Sequence, residues 1–129
     1  MKNQLLYLVY GSDAAYHSEA RFSILSALYR SAAPVDFRID VYTDAPHFYD
    51  GLPVQVHALS EEILQQWYGP LRYHHRAKLC LLQHAVPLAD KTVFIDTDTF
   101  FLRDPILLFD AVDDQTCLAD ELYQSKLPE

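Results

Sequence analysis

Glycine is scarce in this chain: there are three in 129 residues, at positions 11, 51 and 69. With no repeats or low-complexity tracts either, the sequence offers no linker and reads as one domain, residues 1–129. Cysteine is nearly absent. Cys80 and Cys117 have no Cys-x-x-Cys and no metal-ligand spacing, which argues against a zinc site or a structural disulfide. Cys80 lies among leucines and is expected to be a buried thiol. Cations are few as well, with Lys and Arg numbering 10 against 18 Asp and Glu, for a formal charge of −8 and a pI near 5. Nonspecific nucleic-acid binding needs a basic surface and is excluded on that ground. An anionic ligand remains open to such a protein, through a metal or a local group of cations. The apolar run Leu5 to Tyr10 is too short for a signal-peptide core or a membrane span. With no targeting segment visible, the expectation is a cytoplasmic, soluble protein without a transmembrane segment.

What is present is a globular composition, 50% hydrophobic and 22% charged, which suits a packed core. Nine tyrosines and seven phenylalanines are many for this length; core filling is their commoner use. Leu5–Tyr10 is nearly all apolar, as a strand buried on both faces of a parallel sheet would be. Gly11-Ser12-Asp13 breaks it, and Ser12 or Asp13 suits the cap of a following helix. In that helix Ile24, Leu25 and Leu28 form the expected inner stripe, with Glu19, Arg21 and Arg30 left to solvent. Pro34 stops it. Phe37, Ile39 and Val41 alternate with polar residues, giving a second strand over 37–43; Val54 and Val56 give a short third over 53–57. Ser60-Glu61-Glu62 opens a short helix that Gly69-Pro70 ends. A longer helix runs from Tyr73 to Ala85, before Pro87. A fourth strand is expected over 91–96, and one more around Thr116 to Ala119. The alternation predicts a three-layer α/β sandwich with a mostly parallel sheet. Domains of that kind usually continue through further elements, so the chain reads as the front portion of a larger domain or as a family minimum. Six histidines are scattered, and the adjacent His74-His75 diverge on a helix and make a poor chelate.

Residues 91–110 say the most about chemistry. Val93, Phe94 and Ile95 make a buried-strand run, and Asp96 and Asp98 stand where it ends. Strand side chains alternate faces, so the two carboxylates are expected to point the same way. In open α/β sheets, ligands collect at the carboxyl ends of strands. Neighbouring carboxylates repel, and a shared cation relieves the repulsion. Hard oxygen donors favour Mg²⁺ or Mn²⁺. An Asp-x-Asp after a strand can also be a mere turn, since Asp bonds readily to nearby backbone.

These residues resemble the nucleotide-sugar glycosyltransferases of GT-A fold, nearest to the group containing glycogenin and the lipopolysaccharide galactosyltransferases. Tyr10-Gly11-Ser12-Asp13-Ala14-Ala15-Tyr16 is similar to that family's nucleotide-binding turn, where an aromatic residue lies beside the base. Tyr42-Thr43-Asp44 ends the second strand in like manner. Arg76-Ala77-Lys78-Leu79 falls where the family keeps a cation for the diphosphate or donor sugar, and Asp96-Thr97-Asp98 looks like its metal-binding motif. Asp104-Pro105 through Leu108-Phe109-Asp110 matches the usual continuation.

The resemblance implies Tyr10, Gly11, Ser12, Tyr16, Arg76, Lys78, Asp96 and Thr97 at the nucleotide-sugar, with Asp96 and Asp98 on Mn²⁺ or Mg²⁺. Arg76 and Lys78 lie roughly 200° apart on a regular helix and cannot both face one site, and Lys78 fits better by its distance from the motif. The implied donor is a UDP-sugar and the implied outcome retention at the anomeric carbon. The acceptor, whether glycan, lipid-linked sugar or protein, is not implied. The family's third metal ligand, a downstream histidine, and its Asn-Ser-Gly segment have no counterpart here. The likeness therefore supports donor and metal binding more strongly than turnover by this chain alone, and a non-catalytic or degenerate relative is the alternative. Val-Phe-Ile-Asp-Thr-Asp-Thr also resembles the haloacid-dehalogenase phosphatases, whose Asp-x-Asp follows a first strand. The fit is poorer, with Thr99-Phe100 at the turn and too little chain downstream for their other motifs.

Overall fold

A computed structural model describes residues 3–71 and 73–112. Its centre is a four-stranded, all-parallel sheet: β1 (Asn3–Val9), β2 (Arg38–Thr43), β3 (Gln55–Ala58) and β4 (Lys91–Phe94), in the spatial order β3-β2-β1-β4. The helices are α1 (Ala14–Arg30), α2 (Glu61–Tyr68), α3 (His74–Ala85) and the short α4 (Ile106–Asp110). All four strands foreseen in this stretch exist, each within a few residues of its expected bounds. The further strand expected around Thr116 to Ala119, like Cys117, lies outside the described residues.

Two apolar clusters occupy the two faces of the sheet, because β1 alternates between them. Leu5, Tyr7 and Val9 pack with Ile39 and Val41 of β2 and with Ala20, Ile24 and Ala27 of α1; Phe109 of α4 closes the same cluster. Leu6 packs with Tyr42, with Leu64 of α2 and with Leu81 and Ala85 of α3. β1 is thus buried on both sides, as its unbroken apolar sequence requires.

The buried face of α1 is only partly the one expected: Ile24 is buried and Leu28 packs against the core, but Leu25 does not. Its inward residues are His17, Ala20, Ser23, Ile24 and Ala27, while Leu25 is 46% exposed along with Phe22 and Tyr29. Close approach to the sheet favours small side chains, and Ser23 is satisfied there by the Tyr7 hydroxyl at 2.8 Å. Arg21, expected in solvent, is half-buried and donates to the Phe48 carbonyl. Cys80 is also a correction. It is only half-buried, with its Sγ 3.9 Å from the Trp67 carbonyl, because α3 turns Ala77, Leu81 and Ala85 inward instead.

Capping follows local chemistry. Asp13 caps α1, accepting from the Ala15 amide at 2.9 Å, and Ser60 caps α2 through the Ile63 amide at 3.1 Å. Gly69 ends α2 at φ +72°, where a Cβ would lie 2.6 Å from Arg76 Nε. Between β2 and β3, a 3₁₀ turn at Pro46–Tyr49 tucks Tyr49 into the α1-side cluster.

Candidate functional site

The strand order reverses direction between β1 and β4. The chain steps outward one way from β1 to β2 and β3, then returns to place β4 on the other side of β1. Connections leaving adjacent strand ends on opposite sides of a sheet leave a crevice between them, and in open parallel sheets that crevice is where ligands bind. Here the segments leaving the two strands are Tyr10-Gly11-Ser12 and Ile95-Asp96-Thr97-Asp98.

β4 is shorter than the sequence suggested. Its last paired residue is Phe94, although the Ile95 amide still donates to the Leu6 carbonyl at 2.9 Å. Asp96–Thr99 then forms a turn, with the Thr99 amide and hydroxyl both donating to the Asp96 carbonyl, at 3.2 and 2.7 Å. Strand alternation therefore does not orient Asp98. The turn does so instead, and it brings both carboxylates to the lining of one cleft of about 460 Å³. Tyr16 and Thr97 line the same cleft. Asp96 and Asp98 are exposed and Thr97 is half-buried. Glu19 from α1, expected only to face solvent, lines this cleft and the adjoining one bounded by Phe22 and Phe100.

Gly11 stands at φ +110°, a conformation L-residues seldom adopt. Its amide donates to Asp44 Oδ2 at 3.2 Å, and its carbonyl lies 3.2 Å from His17 Nε2. A Cβ on Gly11 would meet the Tyr16 ring at 3.8 Å, so Tyr16 flanks the turn while remaining 51% exposed. Tyr10 is differently placed. It packs against the α2–α3 cluster with its ring edge-on to Tyr68 at 5.4 Å. Burial, and then its hydrogen bond with Tyr68, push its phenol above the ordinary range. Ser12 is exposed and is not among the residues bounding the cleft.

The two helical cations separate as their spacing requires. Arg76 lies against Gly69 at the end of α2. Lys78 is half-buried, its ammonium 4.6 Å from the centre of the Phe94 ring, and Phe94 itself lines the cleft. The geometry thus brings Tyr16, Asp96, Thr97 and Asp98 to one cleft, with Gly11 beside the Tyr16 ring and Lys78 one ring away. Tyr10, Ser12 and Arg76 are not among the residues that line the cleft.

The carboxylate pair supplies hard oxygen donors, which suit Mg²⁺ or Mn²⁺. Among the described residues no three His, Cys, Asp or Glu side chains converge on one point. A cation held by one or two carboxylates, with water and ligand phosphates completing its shell, fits such a donor set; an all-protein cage does not. Among the described residues no helix is long and apolar enough to cross a membrane. No protein-family model, curated protein or solved structure matches the chain, so the crevice itself must carry any functional reading.

Proposed function

We propose that the chain is the donor-binding domain of a metal-dependent glycosyltransferase, a three-layer sandwich of GT-A type that takes a nucleotide-diphosphate sugar, with UDP-sugar as the expected donor. The acceptor class stays open. The observation that carries this reading is the convergence at the β1–β4 switch point of the Asp96–Asp98 turn and the exposed Tyr16 ring, which flanks the Gly11 turn.

Each residue has a physical task. Tyr16 offers a half-exposed aromatic face to a base, which suits it better than Tyr10, whose ring is engaged by Tyr68. Gly11 keeps side-chain bulk away from the approaching ligand. Asp96 and Asp98 would hold Mn²⁺ or Mg²⁺, and such a cation supplies Lewis acidity for departure of the nucleoside diphosphate. Lys78 adds fixed positive charge on the α3 side, where it favours a diphosphate. In a chain of net charge −8, an anionic nucleotide needs that local compensation.

A second reading is favoured by the donor set: among the described residues no three His, Cys, Asp or Glu side chains form a metal-holding group, and with two carboxylates alone the domain would bind donor without turning it over. The phosphatase alternative asks for the motif after a first strand, whereas here it follows the fourth strand in chain order. Calorimetric titration with UDP, with and without Mn²⁺, tests the nucleotide reading. Metal-dependent binding with hydrolysis or transfer of a UDP-sugar supports the enzyme. Metal-dependent binding alone supports the non-catalytic form, and no binding in either condition removes both.

A further inference from the structure

The conformation of the Gly11 turn is set from behind the crevice. His17, in the first turn of α1, is completely buried, and both of its ring nitrogens are engaged. Nε2 lies 3.2 Å from the Gly11 carbonyl and Nδ1 3.0 Å from the Tyr49 hydroxyl. The ring is stacked on Phe48 at 4.4 Å and 3°, so it has one orientation. The proton assignment follows from what each partner can do. A carbonyl only accepts, so Nε2 must carry the hydrogen. In a neutral ring Nδ1 is then an acceptor, and it faces a hydroxyl able to donate. Burial holds the Tyr49 phenol above its ordinary range, with Arg21 acting in the opposite sense and Asp44 in the same one. The phenol therefore keeps its proton at neutral pH.

We propose that His17 is a positioning residue, which in its Nε2–H tautomer transmits the placement of the Pro46–Tyr49 turn to the Gly11 carbonyl. Gly11 is gripped at both ends, its amide by Asp44 and its carbonyl by His17. At a glycine, the softest point of any backbone, this double grip keeps the carbonyl dipole directed at the buried imidazole. Released, the oxygen is free to swing toward the crevice, where it would repel an anionic ligand. The functional consequence rests on the nucleotide-binding reading; the clamp itself does not.

Long-range ¹H–¹⁵N spectra of the ligand-free protein read the tautomer directly. A protonated Nε2 with bare Nδ1 on His17 is expected, and a protonated Nδ1 overturns the proposal. His17→Phe keeps a ring on Phe48 but removes both bonds. It should speed hydrogen exchange at the Gly11 amide and weaken UDP binding with Mn²⁺, each about tenfold, the scale of one buried hydrogen bond. His17→Gln, which restores a donor and an acceptor, should recover most of both. Unchanged Gly11 exchange in His17→Phe sinks the clamp. If that variant does not fold, Tyr49→Phe removes only the distal hydroxyl; it should keep the Nε2–H tautomer, which the Gly11 carbonyl dictates, but speed exchange at the Gly11 amide, and unchanged exchange counts against the relay. Should wild-type protein bind no UDP, the nucleotide reading falls while the tautomer and exchange data still decide the clamp.

Discussion

The Lys78 ammonium lies 4.6 Å from the centre of the Phe94 ring, which sets a cation over the last residue of β4, two positions before Asp96. A cation over an aromatic face contributes about 0.5–1 kcal/mol at a partly exposed site, so the pair helps fix α3 on the sheet. Lys78→Ala should therefore lower stability by about that amount and weaken UDP affinity severalfold. Lys78→Arg should retain the stability, since guanidinium also stacks on rings. Chemical denaturation and calorimetry on the three proteins separate the two effects. An alanine variant with full UDP affinity would remove Lys78 from the site.

Asp96 and Asp98 are exposed side chains on a turn, so neither supports the core. Changing both to alanine should alter stability by no more than about 0.5 kcal/mol, as for ordinary surface positions. Mn²⁺-dependent UDP binding should vanish in the same protein, and EDTA should abolish it in the wild type. UDP binding that survives EDTA would show that the two aspartates serve only the turn.

Gly11 and Gly51 make a matched pair. Both have positive φ, +110° and +84°, and a Cβ would meet only ordinary contact at Gly11 and open space at Gly51. Alanine at either should cost about 1–2 kcal/mol through backbone strain alone. UDP affinity should fall in Gly11→Ala only. Equal affinities in the two variants would mean that the Gly11 turn does not touch ligand.

Asp40 is 1% exposed and accepts from Arg38 Nε at 2.7 Å and from His57 Nε2 at 2.8 Å. Its partners retain 27% and 38% of their side-chain exposure, so solvent screens much of the attraction. The asymmetry is still testable. Arg38→Ala leaves the carboxylate its His57 bond, whereas Asp40→Ala strips both partners of their acceptor and opens a buried space. Asp40→Ala should be the more destabilising by about 1–2 kcal/mol. Urea denaturation midpoints in the reverse order would contradict this.

Tyr7, Tyr10 and Tyr49 share a titration behaviour. Burial, the leading cause in each, raises their phenol pKa values above the ordinary value near 10. A raised acid in the native state means that the unfolded chain loses its phenol protons first. The associated stability is therefore complete below about pH 10 and declines as pH rises beyond it. Urea midpoints should hold between pH 8 and 9 and drop at higher pH, and Tyr7→Phe should flatten part of the drop. A midpoint indifferent to alkaline pH would mean that these phenols ionise freely in the folded protein.

The sheet was readable because burial on two faces leaves a plain trace: Leu5–Tyr10 has no polar interruption, and Ile39, Val41 and Val56 alternate. Asp96 was readable because it closes such a run. Other features left weaker marks. Leu25 looks as apolar as Ile24, yet one step round the helix takes it out of the core, and the residues that do face the sheet include Ser23 and His17. A lone histidine in a helix carries no signal of its own, since its partners Gly11 and Tyr49 are joined to it only by the fold. The 3₁₀ turn that supplies Tyr49 begins at Pro46, and Pro46-His47-Phe48-Tyr49 has neither periodicity to count. Tyr10 and Tyr16 could not be ranked by residue type; their exposure separates them. Alternation placed Asp98 on the face of a strand that ends four residues before it.

The pairing of β1 with β4 matches Asn3 with Lys91, so the crevice lies along a seam joining segments far apart in the chain. Closing so long a loop costs entropy before any contact repays it, and parallel pairings of this kind form slowly. The β1–β2 pairing, which matches Gln4 with Arg38, spans a much shorter loop. Refolding should accordingly restore helical and β1–β2 signals first. Tyr16 and the Asp96–Asp98 turn would be left apart until β4 docks, so ligand-binding competence would be the last property regained. A stopped-flow experiment in which UDP-binding competence returned as early as the helical signal would contradict that order.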